Sequence, residues 1–343
     1  MRRIGFWMTM IGVCVLVFVG GCAKHTKVAT DETKSAAKVV KKPTGKSVDL
    51  MAKFTAGDMG NYKVVTETIK DYKFEQPSIN QTKNQQTLTR TEIVFDQQVQ
   101  SVDPNGDASA LITFKELKYL ATNPKGTAVD FDSAKETDKA NVMAKLVGQS
   151  YVVKLSPNGG VVAVSDTQKA MDAVKGDSME QKIAQSLLAD DAIKQRHTIF
   201  ALPEKKDAQV KVAQSWSKLK GSPAGMLTPK SYEEVFTLKE VKNEQGQQIA
   251  VVDMEARPTS QKATDASKDE QKGMGFFAKM FDNKETYNGK MLVDLTTGKV
   301  NGCSEKLKSE WVAVEPAEEQ KSDKGPDVLT MGFTYSHSIE KIK

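Results

Sequence analysis

Cysteine and histidine are scarce in this chain, with three of each among 343 residues. The cysteines are Cys14, Cys22 and Cys303, and the histidines are His25, His197 and His337. So few thiols exclude a disulfide-stapled scaffold, and ligands this scattered show none of the close spacings of a zinc site. No Gly-x-Ser-x-Gly elbow occurs. Thr44-Gly45-Lys46-Ser47 ends like a phosphate-binding loop, but that motif needs glycine where Val40 stands, and no strand pattern precedes it. Ser215–Lys218 and Ser217–Lys220 both fit Ser-x-x-Lys, yet the Lys-Thr-Gly partner of that motif is absent. The acid pairs Asp190-Asp191 and Glu233-Glu234 are adjacent in sequence, so their side chains diverge and read as caps or solvated faces. His25 sits in a lysine-rich stretch, His197 near a helix end where it favours the dipole, and His337 on the apolar face of a strand as a hydrogen-bonded core or rim residue. Cys303 reads as a small buried thiol. Catalytic residues, metal ligands and cofactors are therefore all expected to be none.

What the chain does hold is unevenly spread. The formal charge is +5, but Arg2 and Arg3 lie at the extreme N-terminus, and residues 23–58 carry eight lysines against four acids. Residues 59–343 keep 39 basic and 40 acidic side chains. The body is close to neutral, so the basic pI gives no reason to expect a nucleic-acid partner.

The N-terminus is the most informative stretch. Met1-Arg2-Arg3 is a short positive region, Ile4 to Val19 is apolar but for Thr9 and its glycines, and Val19-Gly20-Gly21-Cys22 closes it. The apolar run is short for a membrane span, which needs about 20 residues. Small residues before the cut match a signal peptide. With cysteine next in line, Val19-Gly20-Gly21-Cys22 resembles the lipobox of bacterial lipoproteins. That resemblance implies cleavage between Gly21 and Cys22, diacylglycerol on the Cys22 sulfur and acylation of the new amine. It implies attachment to a membrane of the cell envelope through Cys22, and the outer membrane in a cell with two, because Ala23 rather than Asp follows. Several acyl chains at about 0.8 kcal/mol per buried CH₂ anchor where one would leave.

Residues 22–58 read as a lipidated, lysine-rich, disordered tether, since too few are large and apolar to offset the entropy of ordering. The body then reads as strands. Tyr62, Val64, Thr66 and Thr68 alternate; Pro77 and the polar run 80–87 interrupt. Ile93, Phe95, Gln97 and Val99 form one face of a hairpin that turns at Gly106 and returns through Ala110, Ile112 and Phe114. Val142, Met143, Leu146 and Val147 have helical spacing, and a second hairpin turns at Gly159. Residues 166–202 are mainly helical, with a capping box at Ser178 and Gln181 and a restart at Asp190 or Asp191. Hairpins return around Gly246 and Gly298, with an apolar helix predicted over Met274, Phe277, Met280 and Phe281. The last strand alternates Leu329, Met331, Phe333, Tyr335 and Ile339 with polar residues.

The turn glycines suggest a duplication: Gly106 to Gly159 and Gly246 to Gly298 enclose nearly equal lengths, each running hairpin, break, short apolar helix, hairpin. The expected fold is α+β, mainly antiparallel β, with two similar hairpin-helix-hairpin halves forming a curved half-barrel sheet packed on helices. The boundaries are 1–21 signal peptide, 22–58 tether, 59–203 first half including the helical segment 166–202, and 204–343 second half. The body resembles uncharacterised domain families of bacterial envelope lipoproteins, which bring no catalytic residues with them.

The function expected is that of a lipid-anchored, non-enzymatic binding or scaffold module for a hydrophobic ligand or an envelope partner. Two rivals stay open: an envelope hydrolase whose site assembles only in three dimensions, and a structural subunit of an envelope complex. A deep apolar cavity favours the first reading, clustered His, Asp and Ser in a cleft the second, and a flat apolar patch the third. Phe276, Phe277 and Met280, beside Gly273 and Gly275, are candidates for a movable apolar lip over a ligand cavity, against the plainer reading of a core helix.

Overall fold

Alternating β-branched or aromatic and polar residues give the chain long strands. The computed structural model describes residues 43–244, 246–263, 281–320 and 323–342. These hold β1 (Thr44–Asp49), β2 (Met59–Gln76), β3 (Gln81–Val102), β4 (Ala108–Asn123), β5 (Gly126–Asp132), β6 (Ser150–Leu155) and β7 (Val161–Ser165). Three helices follow, α1 (Gln168–Ala173), α2 (Met179–Leu187) and α3 (Asp190–His197). The second half carries β8 (Gln209–Val212), β9 (Ser215–Gly221), β10 (Ser231–Glu244), β11 (Gln247–Thr259), β12 (Asp282–Asp294), β13 (Lys299–Val314) and β14 (Val328–Ile342).

Mainly antiparallel β architecture is what the structure has. One large sheet runs β7-β6-β4-β3-β2-β14-β13-β12-β11-β10-β9, with β5 added on β4, and β1 and β8 form a separate ribbon. Every pairing is antiparallel, and most join strands adjacent in the chain; β4 pairs with β6 past β5, β1 with β8 in the ribbon, and the last strand, β14, lies on β2 over 15 residues. That pairing makes a single sheet of what the sequence reads as two halves, and Lys41–Lys343 is one compact unit with no boundary near residue 203. The inner face carries the core, whose largest buried side chains include Trp311, Tyr151, Tyr232, Phe95 and Phe114.

The helical segment lies on that inner face. Ser178 and Gln181 form the expected capping box at the start of α2. From α3, Gln195 reaches Tyr335 on β14 and His197 packs edge-on to Phe95 on β3 at 4.7 Å. The following residues cross toward β9 and β10, where Phe200 meets Phe236 and the Trp216 indole donates to the Ala201 carbonyl at 3.0 Å.

Three expectations change. The polar run 81–87 does not interrupt the sheet. A 3-10 turn over Pro77–Ile79 with Asn80 in the left-handed region reverses the chain, and Gln81 to Thr87 pair with Gln76 to Lys70 in unbroken register. At this end of the hairpin both faces meet solvent, so hydrogen-bonded strand needs no apolar residues there. The apolar group at 142–147 forms a 3-10 helix, Val142–Leu146, rather than an α-helix.

The tether boundary at 58 also moves, because residues 44–58 belong to the folded body. Thr44 to Asp49 pair with β8, and Leu50 is fully buried with its N–H on the Ala208 carbonyl. The chain then ties three places together: Ala52 N–H bonds Pro157, Lys53 N–H bonds Gly298, and Gly57 N–H bonds Val99. Gly298 has φ +70°, and a Cβ there would lie 2.6 Å from the Lys53 Cβ, so only glycine admits this strap. Few apolar residues among lysines and threonines carry the contact, which is too short to show a period. Cys22 and Gly21, and the lip candidates Phe276, Phe277 and Met280 with their expected helix, lie outside the described residues; Phe281 is partly buried against the core.

The strap is expected to contribute to global stability. Leu50→Ala should cost about 2–5 kcal/mol in urea unfolding. A cost below about 0.5 kcal/mol, typical of surface positions, would return the segment to the tether.

Candidate functional site

Strand parity determines which polar side chains enter the sheet. On β13, Cys303, Glu305, Leu307, Ser309 and Trp311 all point inward and are buried. On β10 the inward set is Tyr232, Glu234, Phe236 and Leu238. Charged residues thus occupy core positions in otherwise apolar rows. In sequence Glu233 and Glu234 look alike, and nothing adjacent to Glu305 sets it apart. Their place between buried apolar neighbours at i−2 and i+2 is the signal that could have found them.

These charges meet. Lys220 Nζ lies 2.6 Å from Glu305 Oε2 and 3.7 Å from Glu234 Oε1. The Tyr287 hydroxyl donates to the same Glu305 oxygen at 2.6 Å. Lys220 stands on β9 and Glu305 on β13, four strand spacings apart in the sheet order. In a flat sheet that is about 19 Å, far beyond a lysine side chain, so the sheet curls until its inner faces touch. A second such centre joins Glu285 on β12 to Lys230 Nζ at 2.7 Å, Ser309 Oγ at 2.8 Å and the Tyr232 hydroxyl at 3.2 Å. A third lies under the first half: the Tyr151 hydroxyl accepts from Arg196 at 3.0 Å and therefore gives its proton to His197 Nε2 at 2.7 Å.

The electrostatics follow from burial and these partners. Burial alone would lower the Lys220 pKa, but Glu305 and Glu234 outweigh it and hold it above the ordinary lysine value. Burial, then Glu305, pushes the Tyr287 and Tyr335 phenols up, and burial does the same to the Cys303 thiol. Cys303 is buried, and a thiol held protonated in this way is a poor nucleophile. His197 is driven well down by burial and by the adjacent Arg196, so it is neutral and is not the helix-dipole partner expected of it. Burial takes His337 down to about 4.

His337 stands in the middle of a polar row across three strands. Its Nδ1 lies 3.0 Å from Thr66 Oγ1, directly across the strand pair β14–β2. Its neighbour on the other side, β13, is Glu305. The buried Nε2 has no hydrogen-bond partner among the described residues. Hydroxyl, imidazole and carboxylate are thus in one row, but no carboxylate bonds the ring to orient it, and its low pKa makes it a weak base. The Ser-x-x-Lys matches fail on geometry, since a three-residue step on β9 sends serine and lysine to opposite faces. Among the described residues no three His, Cys, Asp or Glu side chains are placed to hold a metal ion.

Over these side chains lies a cleft of about 770 Å³. Glu234, Glu305, Tyr335 and His337 line it with Lys218 and Lys220, and α3, Ile199, Phe200 and the loop 221–224 bound it. An apolar cavity of about 70 Å³ lies beneath the strap, lined by Phe54, Tyr62, Val99, Ile199 and Ile339 among others. It is much smaller than the few hundred Å³ that small-molecule sites enclose.

The family of unknown function DUF6263 matches residues 105–300, more than half of the sequence. The chain belongs to that family. The match takes in Lys218, Lys220, Glu234 and Tyr287 and stops short of Glu305, Tyr335 and His337. No curated protein matches the chain. Among solved structures, one of lipovitellin, titled for its lipid–protein interactions, aligns with 85% of this chain and 26% of its own, at 8% identity and a TM-score of 0.40. A DUF1329 family protein from Desulfovibrio piger aligns over 81% and 85% of the two chains, at 8% identity and a TM-score of 0.14. This chain spans about a quarter of the lipovitellin chain. At these scores neither likeness carries function across.

The buried imidazole predicts a pH dependence. Its pKa is about 4 folded and 6.5 when free, so between those values the unfolded chain binds a proton that the folded one refuses. Stability is complete above pH 6.5 and falls as pH drops toward 4, by about 3 kcal/mol through this residue at about 1.4 kcal/mol per pH unit. His337→Gln should remove that part of the slope in urea unfolding measured from pH 7 to pH 4. An unchanged slope would mean that His337 is already charged in the folded protein.

Proposed function

We propose that this chain is a lipid-anchored protein of the bacterial cell envelope whose body is a non-enzymatic binding module. The anchor is acylated Cys22, and a short lysine-rich linker leads from it to the strap and the sheet. The body faces the periplasm or the exterior, on the outer membrane in a cell that has two. The observation that carries the binding reading is the 770 Å³ cleft on the inner face, with a fixed floor of buried charge and the unpartnered Nε2 of His337. A buried polar atom without a partner costs about 1–3 kcal/mol, a cost that a bound ligand removes. The cleft's charged lining favours a ligand with a polar group over a wholly apolar one.

The strand order supports an internal duplication as the origin of this body. Read from the β7 edge, β7-β6-β4-β3 is followed, past β2 and β14, by β13-β12-β11-β10, so the two sets cross the sheet in the same sense. In chain order β3, β4, β6 and β7 correspond to β10, β11, β12 and β13.

Mass analysis of the N-terminus of the membrane-bound protein tests the anchor. The expected product begins at a Cys22 carrying diacylglycerol and an amide-linked acyl chain, and Cys22→Ala should leave the precursor uncut and unlipidated. An unmodified Cys22 in the wild-type protein would overturn the assignment.

A further inference from the structure

Among the described residues, one cation of the cleft makes no ion pair. Lys218 and Lys220 are two residues apart on β9, so both face inward, about 6.6 Å from each other along the strand. Lys220 is engaged by Glu305 and Glu234, and Lys194 by Asp190 at 3.7 Å. Lys218 makes no ion pair among the described residues; Glu204 and Glu234 act on it at longer range, and burial lowers its pKa. A half-buried ammonium whose counter-charges stand off at longer range is stabilised further by an anion that makes direct contact with it.

The cleft also holds a polar atom with no hydrogen-bond partner among the described residues, His337 Nε2. In the tautomer where the Thr66 hydroxyl donates to Nδ1, the neutral ring carries its proton on Nε2 and can donate to an anionic head. His337 is 3% exposed and lines the cleft. The floor sets two carboxylates, Glu305 and Glu234, against the single ammonium of Lys220, with the neutral Tyr287 hydroxyl on Glu305, and Lys218 at longer range brings the four charges to neutrality, so an anion reaching Lys218 meets a neutral floor rather than a negative one.

The far side is apolar. Ile199 lines both the cleft and the small apolar cavity. On β14, His337 lines the cleft and Ile339, two residues on and facing the same way, lines the cavity. Gly159 holds this divide in place: its carbonyl accepts from Ile199 N–H at 2.8 Å, and a Cβ on it would come within 2.3 Å of the Ile199 carbonyl. Polar and apolar spaces therefore meet at one side chain, Ile199.

We propose that the cleft binds a small amphiphile with one oxyanionic head, a carboxylate or phosphate monoester, on a short alkyl chain. The head meets the Lys218 ammonium and His337 Nε2, and the chain passes Ile199 toward the apolar cavity. This assignment rests on the reading of the cleft as a ligand site and names the class of ligand.

Calorimetric titration of the full chain in phosphatidylcholine nanodiscs, with empty nanodiscs as reference, tests it with octanoate, octyl phosphate, butanoate and octyltrimethylammonium. Octanoate and octyl phosphate should bind one to one, the preferred one identifying the head. The cationic probe should not bind, and octanoate should bind at least about tenfold more tightly than butanoate through its extra buried methylenes. Lys218→Met should lower affinity about 10- to 100-fold, the loss of one charge-assisted contact, while Lys218→Arg stays within about threefold. Both variants should melt within a few degrees of the wild type, which separates lost contact from lost fold. Binding of the cationic probe as tight as octanoate, affinity indifferent to chain length, or full affinity in folded Lys218→Met would overturn the assignment and leave the cleft a site for another class. If no probe of either charge binds, the assignment fails together with the reading of the cleft as a ligand site.

Discussion

The contact between Lys220 and Glu305 is the constraint on which the rest of this structure depends. It joins two strands that the sheet order separates by four spacings, so it exists only if the sheet curls. The curl brings the inner faces of β9–β14 together, and with them Tyr287, Glu234, Tyr335 and His337. A flat sheet of the same register would keep every backbone hydrogen bond and have no cleft. Backbone pairing thus determines which strands are neighbours, while side chains on the inner face determine how tightly the sheet bends.

Buried charge is an expensive way to bend a sheet. Taking an ammonium and two carboxylates out of water costs several kcal/mol per ion, and their attraction offsets that only with good geometry and further hydrogen bonds. Here the Tyr287 hydroxyl supplies one, and a second centre at Glu285 repeats the arrangement with Lys230, Tyr232 and Ser309. Apolar residues would pack the same space at lower cost. Polar groups fixed by one another but open to a cleft are what a binding surface requires, since the ligand then meets donors and acceptors already held in place. The first half makes a different choice: around Phe95, Phe114 and Tyr151 the segment α3 fills the space with Arg196 and His197, and it is the second half that stays open.

Much of this was legible from residue order where a local rule decides. The hairpins at Gly106, Gly159, Gly246 and Gly298 turn where expected, because each needs a positive φ that glycine adopts freely. Ser178 and Gln181 fix the start of α2 through two reciprocal hydrogen bonds. The alternation from Leu329 to Ile339 leads directly to a strand whose buried residues include Phe333, Tyr335 and Ile339. What stayed hidden depends on distant partners. Gln81 to Thr87 have no apolar face, yet pair because β2 lies alongside. Leu50 is one apolar residue in a lysine-rich stretch, buried because β8 and the turn at Pro157 receive its segment. The joining of the halves by β14 and β2 is a contact between chain ends, which no local pattern records. The polar cluster was half legible: strand parity marks Glu234 and Glu305 as inward, but only the curl shows that they share one lysine.

A double-mutant cycle on Lys220 and Glu305 tests this account most directly. Lys220→Met and Glu305→Gln, alone and together, are compared in urea unfolding at pH 7. If the pair closes the sheet, each single change strands a buried partner and costs about 3–5 kcal/mol, and the double variant costs less than the sum by roughly 2–3 kcal/mol. Additive losses, or single changes that cost nothing, would show that the curl is held by other contacts and would contradict the account.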